Sequence, residues 1–512
     1  MNADSPGLTA GVSLRTLLSG FTEGSAVVPD LTVSGLQLDS RAVQAGDLFV
    51  ALQGHQAHGL TYAPQAVKSG AVAIIYEPAG AGERAAMSGM PVPQIAVPAL
   101  AEKLGYLADR FFDQPSAALR VIGVTGTNGK TSCSHFLAEA LSAQGKAGVV
   151  GTLGWGVPGR LRDTHHTTPD AIEVHRLLRH MQAEGFAAVV MEASSHGLSQ
   201  GRLTGVRFMG ALFTNFTRDH LDYHETMAAY LESKLHLLEW PTLEFVVFNN
   251  DSPFAEPIRA RQRDSVRYLG FGAEAESTGQ SDALITHGEV VHESDGIRFR
   301  VRYQGQAETL KVPVFGDFNV ENITAVLAVM ICLGHDFREA IDALGRVAPV
   351  PGRMEPCGAG SPGVVIDYAH TPDALESVLG SLRTHCRGKL WVVFGCGGDR
   401  DRGKRPQMGA VAERLADVII LTDDNPRGED GDAIVHQILA GIGRRDVLVE
   451  RDRLAAIRHA LTHAGHDDLI LIAGKGHENT QEIKGIRHHF SDREAVEGIL
   501  GRPVEPVRAR VN

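Results

Sequence analysis

The sequence predicts an α/β protein of three parts, in which parallel sheets are covered by helices. Apolar runs of strand length alternate with helical patterns before and again after a proline-rich break near residue 350. A glycine-rich turn at residues 126–131 joins one such strand to one such helix. The length of 512 residues is enough for several domains, each with its own hydrophobic core.

Changes in composition set the expected domain boundaries at residues 1–98, 99–348 and 349–512. A helical pattern covers residues 171–185, and the end of the chain has the composition of a frayed tail. The predicted strands are 47–52 and 71–77 in the first part, 146–151, 187–193, 209–216 and 244–250 in the second, and 364–368, 390–395, 417–422, 446–450 and 468–474 in the third.

The composition favours a soluble protein of a reducing compartment, and we expect it in the cytoplasm. A net charge of -12 without a basic run argues against nucleic acid as the main partner. The five cysteines show neither CxxC spacing nor the density of a disulfide scaffold. No apolar run approaches the length of a membrane span, so we expect no membrane partner.

The turn Gly126-Thr127-Asn128-Gly129-Lys130-Thr131 has the chemistry of a phosphate-binding loop. Its glycines let backbone N–H groups surround phosphate oxygens, and the helix start, with Lys130, adds positive charge. The Thr131 hydroxyl is suited to Mg²⁺. The strict P-loop pattern has a glycine where this chain has Val124, so this loop is a variant of the pattern. The alternative is an ordinary strand-turn-helix junction that binds no phosphate. We expect the chain to use a nucleoside triphosphate.

Polar residues directly follow two of the predicted strands. Glu192 ends one apolar run and His220 comes shortly after the next, at the carboxyl ends where parallel sheets bind ligands. Both are candidate ligands of a hard cation beside Thr131. The alternatives are caps or solvated side chains, or a transition-metal site built on the spacing of His220, Asp222 and His224.

Eight short motifs follow one another along most of the chain. They are GTNGKTS (126–132), EASSHGLSQGR (192–202), TNFTRDHLDYH (214–224), YLESKLHLL (230–238), GDFNVEN (316–322), PGRME (351–355), DYAHTPDAL (367–375) and GCGGDRDRGKRP (395–406). Together they resemble the Mur ligases of bacterial peptidoglycan synthesis, and most closely the members that add the third residue of the stem peptide.

The resemblance implies an ATP-dependent amide ligase of three domains. The small N-terminal α/β domain would bind a UDP sugar, the central P-loop-type domain ATP, and the C-terminal Rossmann-like domain the incoming amino acid. The implied reaction phosphorylates the glutamate carboxylate of UDP-N-acetylmuramoyl-L-alanyl-D-glutamate, and an amine then attacks the acyl phosphate. Such chemistry brings anions together, so it needs positioning and neutralisation by cations. The expected state is a monomer whose partners are small molecules.

The resemblance also assigns roles to residues of the central domain. Lys130 and Thr131 would hold the phosphates and Mg²⁺, with Glu192, His220 and Lys234 completing the catalytic set. Lys234 would be carbamylated, and the alternative is a surface lysine that covers an apolar stripe. The residues implied in ATP binding are Gly126, Thr127, Asn128, Gly129, Lys130, Thr131, Ser132, Asn319, Asn322, Arg353 and Asp367. The two asparagines could instead cap a helix, and Arg353 could form a structural ion pair.

For the UDP-sugar substrate, the clearest physical role belongs to Arg202, because its planar guanidinium suits a phosphate or a carboxylate. The chain departs from the family pattern at His166, where a small amide is often found. The full set implied by the resemblance is Leu38, Ser40, His55, Gln56, Ala57, Thr167, Thr168, Ser194, Gln200 and Arg202.

The choice of amino acid is expected to depend on Asp424-Asn425-Pro426-Arg427, which taken alone is a turn signal. In the family this motif is associated with meso-diaminopimelate, together with residues that match Arg400, Gly474 and Glu478. A bidentate arginine would bind the distal carboxylate of diaminopimelate and would leave the distal ammonium of lysine facing a like charge.

Four alternatives remain open. A lysine-adding ligase of the same family would lack the arginine at position 427. A folylpolyglutamate synthetase typically has glycine where this chain has Thr131. A P-loop kinase or GTPase is disfavoured because no NKxD-type motif follows a strand. A non-catalytic nucleotide-binding regulator is compatible with the fold but would not need Glu192 and Lys234.

Overall fold

The computed structural model describes residues 11–22, 27–54, 57–79, 89–164, 166–274, 284–293, 296–357, 362–444 and 446–501. The candidates His55 and Gln56 lie outside the described residues. By its internal contacts the chain divides into two compact units. The first consists of Met1–Thr125, Leu141–Ala211 and Ser233–Glu244, and the second of Gly126–Ala140, Leu212–Glu232 and Phe245–Asn512.

The N-terminal part of the first unit is a four-stranded parallel sheet with helices. Its elements are β1 (Val12–Ser13), α1 (Leu14–Leu18), β2 (Thr32–Val33), β3 (Gly35–Gln37), β4 (Asp47–Ala51), α2 (Ala63–Lys68), β5 (Ala73–Tyr76), β6 (Gln94–Ala96) and α3 (Leu100–Phe111). The sheet order is β3-β4-β5-β6, and all its pairs are parallel. The strands predicted at 47–52 and 71–77 are confirmed as β4 and β5.

The middle of the chain alternates strands and helices and then turns to an antiparallel meander. Its elements are β7 (Arg120–Thr125), α4 (Lys130–Leu141), β8 (Ala147–Gly151), β9 (Gly154–Val157), β10 (Arg160–Arg162), α5 (Ala171–Ala183), β11 (Ala188–Glu192), α6 (Ser195–Ser199), β12 (Phe208–Phe213), α7 (Leu221–His224), α8 (Met227–Leu235), β13 (Phe245–Asn249), α9 (Ala255–Arg259), β14 (Arg267–Ala273), β15 (Leu284–Glu293), β16 (Gly296–Tyr303), β17 (Gln306–Val312), α10 (Asp317–Cys332) and α11 (Phe337–Leu344).

Both units contribute parallel strands to this middle region. In the first unit, β8, β11 and β7 are parallel neighbours, and β9 and β10 continue from β8 as an antiparallel pair. In the second unit, β13, β14 and β15 are parallel, whereas β15, β16 and β17 are antiparallel. The predicted helix at 171–185 is confirmed as α5, which begins where the Asp170 carboxylate accepts from the backbone N–H groups of Ile172 and Glu173.

The C-terminal part is a six-stranded sheet with helices on both faces. Its elements are β18 (Glu355–Pro356), β19 (Gly363–Asp367), α12 (Pro372–His385), β20 (Leu390–Phe394), α13 (Lys404–Leu415), β21 (Val418–Leu421), α14 (Gly431–Leu439), β22 (Leu448–Val449), α15 (Arg453–His463), β23 (Leu469–Ala473), β24 (Thr480–Ile483), β25 (Ile486–His489) and α16 (Asp492–Ile499). The sheet order is β18-β19-β23-β20-β21-β22, parallel except for β18.

Alternate residues of the central strands face two separate cores. Val392 and Leu471 belong to a buried cluster with residues of α12, α13 and α14. Val393 and Ile470 belong to another cluster, with residues of α15 and α16. This arrangement is the Rossmann-like wrapping expected of near-continuous apolar strands, because a strand buried on both faces needs apolar residues at every position.

Two differences from the prediction have physical causes. The antiparallel meander β15–β17 was not predicted, although buried Ile297, Phe299 and Val301 alternate with arginines along β16 in the pattern of a half-buried strand. The strand predicted at 446–450 is only the two exposed residues of β22, because it lies at the edge of the sheet. Within the described residues, no helix is both long and apolar enough to cross a lipid bilayer.

Candidate functional site

The glycine-rich loop before α4 has a backbone shape that only glycine adopts easily. Gly126 and Gly129 have φ angles of 147° and 82°. A Cβ atom on Gly126 would lie 1.9 Å from Oγ1 of Thr214, and one on Gly129 would lie 2.6 Å from Oδ1 of Asn322. Neither glycine can therefore be replaced without moving the segment packed against it.

The loop is held in shape by the segment that follows β12. The backbone N–H of Asn128 donates to Oδ1 of Asn215 at 2.8 Å, and the Thr214 hydroxyl donates to the Asn128 carbonyl at 2.6 Å. Lys130 Nζ donates to the carbonyl oxygens of Gly126 and Thr127 at 2.9 and 2.8 Å. The lysine ammonium and the positive end of α4 therefore lie at the same loop, as an anion site requires.

Thr127 connects the same loop to the segment that contains His220. Its Oγ1 accepts from the backbone N–H of Thr217 at 3.1 Å and lies 3.2 Å from the buried Tyr230 hydroxyl. Burial raises the pKa of Tyr230, so the hydroxyl stays protonated. His220 has a φ of 53° and precedes α7, with Nε2 3.5 Å from Oδ2 of Asp219. The phosphate loop and His220 thus belong to one connected structure in the second unit.

Asp219 is ionised although it is largely buried. Burial opposes its charge, but His220, His370 and Lys404 outweigh that effect and lower the pKa of Asp219. Burial, with Lys404 nearby, lowers the pKa of His370 to about 4, so this imidazole is neutral near pH 7. His370 Nδ1 is 2.8 Å from the Tyr368 carbonyl, which can only accept, so Nδ1 carries the proton.

The ATP candidates on α10 are buried and bonded to each other. Asn322 Nδ2 donates to Oδ1 of Asn319 at 3.0 Å, and Asn319 Nδ2 donates to the Phe315 carbonyl at 2.7 Å. Neither caps the helix, which starts at Gly316 without a side-chain cap. The capping alternative is therefore wrong, and Asn322 instead lies beside Gly129 of the phosphate loop.

Arg353 connects the Pro-rich segment to the start of α4. Its Nη2 donates to Oγ1 of Thr131 at 3.2 Å, and its guanidinium lies 4.5 Å from the centre of the Tyr368 ring. Asp367, at the end of β19, accepts from the backbone N–H groups of Met354 and Ala369, both at 2.7 Å. The structure thus bonds Arg353 to Thr131, at the end of the phosphate loop, and bonds Asp367 to Met354, the residue after Arg353. Ser132 is buried in α4.

In the first unit, Glu192 is the centre of a polar cluster at the end of β11. Its side chain is 1% exposed, and its two oxygens accept from the Thr152 backbone N–H at 2.9 Å and from the Thr152 hydroxyl at 3.0 Å. The Thr168 hydroxyl donates to the Glu192 carbonyl at 2.7 Å and accepts from the Ser194 N–H at 3.1 Å. The Thr152 and Thr167 hydroxyl oxygens lie 3.0 Å apart. A metal candidate and three UDP-sugar candidates are therefore adjacent.

Arg202 and Gln200 extend this cluster. The Arg202 guanidinium donates to Gln200 Oε1 at 2.9 and 2.6 Å and to the Thr168 carbonyl at 2.8 Å. Ser40 is buried and donates to Gln65 Oε1 at 3.2 Å, while Leu38 and Ala57 are half-buried. His166, the departure from the family pattern, is exposed. Arg202 is thus fixed beside Thr168, and Ser40 has a different partner in the N-terminal sheet.

Lys234 is buried on α8, with only 1% of the residue exposed. The alternative of a surface lysine is therefore wrong. Burial of an ammonium group in a protein favours its neutral, nucleophilic form, which is the form that reacts with CO₂. The environment thus suits the expected carbamate, although the carbamate itself stays a prediction.

The C-terminal loop after β21 contains a buried network that the sequence did not predict in full. Lys475 is fully buried, and its Nζ donates to Asn425 Oδ1 at 3.2 Å and to Glu478 Oε2 at 3.1 Å. Asn425 Nδ2 also donates to Glu478 Oε2 at 2.8 Å. Glu478 is thus bonded to both Lys475 and Asn425, and the sequence signal for Lys475 was a lysine between two glycines after β23.

Asp424, Gly474 and Arg427 complete this loop. Burial raises the pKa of Asp424, and Lys475 opposes that effect. A Cβ on Gly474 would lie 2.5 Å from Asp424 Oδ2, so only glycine fits. Arg427 has a φ of 50°, and its Nη1 donates to the Gly398 carbonyl at 2.9 Å. Pro426 is buried, and the exposed Arg400 donates to the Asp399 carbonyl at 3.1 Å.

An α/β chain with a preformed phosphate loop at a helix start belongs to the broad class of nucleotide-binding α/β proteins. Three sequence profiles narrow the class. The Mur ligase family catalytic domain matches residues 32–112, the Mur ligase middle domain residues 124–330, and the Mur ligase glutamate ligase domain residues 352–476. The chain belongs to the Mur ligase family.

Particular relatives agree with this assignment. Over 504 residues the chain is 47% identical to the UDP-N-acetylmuramoyl-L-alanyl-D-glutamate--2,6-diaminopimelate ligase of Xanthomonas oryzae pv. oryzae (strain MAFF 311018), covering 97% of this chain and 100% of the relative. A solved structure of a ligase with the same name is 35% identical, with a TM-score of 0.68 over 96% of this chain and 99% of that one. The MurF ligase of Thermotoga maritima, solved in complex with ADP, shares the fold at 20% identity, a TM-score of 0.60, and coverage of 86% and 93%.

Proposed function

We propose that the chain is an ATP-dependent amide ligase of peptidoglycan precursor synthesis, which joins meso-2,6-diaminopimelate to UDP-N-acetylmuramoyl-L-alanyl-D-glutamate. The main support is identity of 47% over nearly the whole chain with a relative whose name states this activity. Two features of the second unit support the proposal: a phosphate loop that is hydrogen-bonded into shape, and Arg427, whose guanidinium is a group suited to a carboxylate. ATP and nucleotide sugars are cytoplasmic metabolites, so we place the enzyme in the cytoplasm.

The reaction starts at the phosphate loop. A glutamate carboxylate oxygen attacks the γ-phosphorus of ATP, the bond to the β–γ bridging oxygen breaks, and ADP leaves with the bonding electrons. The backbone N–H groups of the loop and Lys130 stabilise the charge on the phosphates. The amine of the amino acid then attacks the acyl carbon, phosphate leaves, and the amine loses a proton. Asn319, Asn322, Arg353 and Asp367 are proposed to hold the nucleotide.

Mg²⁺ fits the donor groups present. This ion binds through few protein ligands and several phosphate oxygens, so the buried Thr131 hydroxyl at the phosphate loop is a suitable donor. From the motifs, we assign Thr131, Glu192, His220 and carbamylated Lys234 to it. When bound, Mg²⁺ would neutralise the negative charge of the phosphates.

The substrate residues follow the same reasoning. Thr167, Thr168, Ser194, Gln200 and Arg202 are proposed to bind the UDP sugar, because they form one hydrogen-bonded cluster that includes a guanidinium. The N-terminal candidates Leu38, Ser40, His55, Gln56 and Ala57 are proposed for the same substrate on the motifs alone.

Arg427 is proposed to select the amino acid. One of its N–H groups is fixed to the Gly398 carbonyl, and the planar guanidinium has further donors for the distal carboxylate of diaminopimelate. L-Lysine has no such carboxylate, and its distal ammonium would face a like charge. Arg400, Asp424, Asn425, Pro426, Gly474 and Glu478 are proposed as the remainder of this site.

The test is ADP release with purified enzyme, ATP, the UDP-linked dipeptide and a panel of amino acids, with the ligated product identified by mass spectrometry. We expect kcat/KM for meso-diaminopimelate to exceed that for L-lysine by about 100-fold or more. Arg427→Ala should lower kcat/KM for meso-diaminopimelate about 10- to 100-fold, because it removes charge-assisted hydrogen bonds.

The matched control is Arg383→Ala, which removes an arginine of the same C-terminal sheet region that pairs with Asp417 at 2.6 Å. This variant should keep the substrate preference of the wild type. Equal use of L-lysine and meso-diaminopimelate by the wild type would overturn the role of Arg427. Absence of any amino-acid-dependent ADP release would overturn the ligase itself.

A further inference from the structure

We propose that Arg405 is a positioning residue that fixes the location of Arg427 and so sets the preference for an amino acid with a second carboxylate. The proposal rests on the proposed function, because it concerns the amino-acid site of that ligase. Arg405 belongs to α13, outside the loop that contains Arg427, and it is fully buried.

Arg405 binds three different partners with its two terminal nitrogens. Nη1 donates to Glu429 Oε2 at 3.0 Å and to Gln437 Oε1 at 2.7 Å. Nη2 donates to Glu429 Oε1 at 2.9 Å and to the Gly397 carbonyl at 3.0 Å. A planar guanidinium can serve these partners together, because its donors point in fixed, diverging directions. Arg405 therefore connects the loop after β20, which contains Gly397, to the loop after β21, which contains Glu429.

Glu429 passes this connection on to the backbone. Its Oε1 accepts from the Asp399 N–H at 2.6 Å, and Asp399 Oδ2 in turn accepts from the Gly428 N–H at 3.0 Å. The hydrogen bonds from Arg405 are the main reason why the pKa of Glu429 is lowered to about 2. The Glu429 carboxylate is therefore ionised at neutral pH. Gly428, the residue after Arg427, is thus connected to Arg405 through Asp399 and Glu429.

The two loops touch at the position of the arginine itself. Gly398 N–H donates to the Asn425 carbonyl at 2.9 Å, and the Gly398 carbonyl accepts from Arg427 Nη1 at 2.9 Å. A Cβ on Gly398 would lie 1.9 Å from the Pro426 carbonyl oxygen, so the backbones are in direct contact. Any separation of the loops would therefore move the acceptor that orients the Arg427 guanidinium.

Stability alone is a poor explanation for Arg405. A buried ion pair loses most of its Coulomb energy to desolvation, and apolar residues of similar volume are often as stable. Arg405 Nε is also buried without a hydrogen-bond partner among the described residues, which adds a cost. Positioning of the Arg427 guanidinium is the better explanation for Arg405, since a displacement of about 1 Å at a reacting or binding group can cost about 100-fold in rate.

The test compares Arg405→Gln and Arg405→Lys with the wild type and with Arg383→Gln as the control. For each protein, kcat and KM are measured for meso-diaminopimelate, L-lysine and ATP, and thermal unfolding is recorded. We expect Arg405→Gln to raise KM for meso-diaminopimelate and to lower the preference over L-lysine about tenfold, with KM for ATP within about twofold. Arg405→Lys, which keeps the charge but loses the fork, should be intermediate, and Arg383→Gln should match the wild type.

An unchanged preference for meso-diaminopimelate over L-lysine in a folded Arg405→Gln would overturn the proposal. An equal loss of kcat/KM for both amino acids and for ATP would also overturn it. If Arg405→Gln does not fold, Gln437→Leu removes one partner of Arg405 and should lower the preference in the same direction; an unchanged preference there would overturn the proposal. If the wild type shows no preference for meso-diaminopimelate, the proposed function is overturned. If the wild type shows the preference and the variants keep it unchanged, only the inference about Arg405 is overturned.

Discussion

At the scale of single residues, Lys234 is the clearest case of a side chain whose position demands an explanation. Only 1% of this residue is exposed, so water does not solvate its side chain as it would that of a surface lysine. Conversion to a carbamate replaces the cation by an anion with two acceptor oxygens, which can bind a cation or a hydrogen-bond donor. Such a group would act in catalysis rather than in packing.

We therefore expect Lys234→Ala to abolish ligation and a short carboxylic acid such as acetate to restore part of it, because truncation leaves space where a small carboxylate can replace the carbamate. The measurement is ADP release with and without the acid. Lys146→Ala is the control, since Lys146 is partly exposed and pairs with Glu184 at 3.0 Å. Full activity in Lys234→Ala would show that the carbamate is not needed.

Asp109 and His175 form a second notable pair, away from the proposed active site residues. His175 Nε2 is 2.9 Å from the Thr204 carbonyl, which can only accept, so Nε2 carries the proton. Burial lowers the pKa of His175 to about 4, and the neutral ring therefore has a lone pair on Nδ1. Asp109 Oδ1 lies 3.5 Å from that nitrogen, so an ionised Asp109 would place two acceptors face to face.

Burial raises the pKa of Asp109 from 3.8 to about 6, in agreement with this geometry. Because the folded state binds the Asp109 proton more tightly than the unfolded state does, protonation of Asp109 stabilises the fold. This stabilisation is complete below pH 3.8 and is lost as the pH rises through about 6. Asp109→Asn, whose amide can donate to Nδ1, should raise the free energy of unfolding at pH 7.5 by about 1–2 kcal/mol after allowance for solvent screening.

The measurement is urea unfolding of wild type and Asp109→Asn at several pH values between about 4.5 and 7.5. The advantage of the variant should shrink as the pH falls, because the wild-type carboxyl then becomes protonated. The exposed Asp163→Asn serves as control and should show no such trend. A constant advantage at every pH would contradict the raised pKa.

At the scale of elements, the sequence predicted the buried parallel strands well and the antiparallel ones poorly. Residues 390–394 and 469–473 are apolar at every position, and the structure has β20 and β23 there because both faces of the sheet are covered. The meander was missed because its strands are only half apolar. Its alternation of apolar residues with Arg298, Arg300 and Arg302 is nevertheless a readable signal.

The site residues divide in a similar way, into those that the sequence could predict and those that it could not. Glycines of the phosphate loop could be predicted because their role is local: a left-handed backbone and a close approach at Gly126 and Gly129. The partners Glu429 of Arg405 and Asn425 of Lys475 could not be predicted, because they lie 24 and 50 residues away in sequence and are brought near by the order of strands in the sheet. A buried charge in a polar motif has no signature of its own until its neighbours are known.

At the scale of the whole molecule, the three-domain plan agrees with the family, and the boundaries at residues 98 and 348 stay predictions. The three profile matches cover separate stretches that together span most of the chain. Each stretch contains its own sheet or part of one, and the C-terminal sheet has a core on both faces. The phosphate loop with Lys130 lies in the middle stretch and Arg427 in the C-terminal one, which is consistent with the expected assignment of ATP and the amino acid. The cluster around Thr168, proposed for the UDP sugar, lies in the middle stretch rather than the N-terminal one.

The surface of the whole molecule gives an expectation for the oligomeric state. Permanent dimers bury large, mostly apolar interfaces, of about 2,000 Å² or more. Within the described residues, the exposed large hydrophobic side chains are distributed over several elements, for example Tyr106 in α3, Val291 in β15 and Ile486 in β25. The net charge of -12 adds mutual repulsion between copies. We therefore expect a monomer: size-exclusion chromatography with light scattering should give a mass near 54.9 kDa at every protein concentration. Raising the salt concentration, which screens the repulsion, should leave that mass unchanged, and a rise towards twice the value would contradict the expectation.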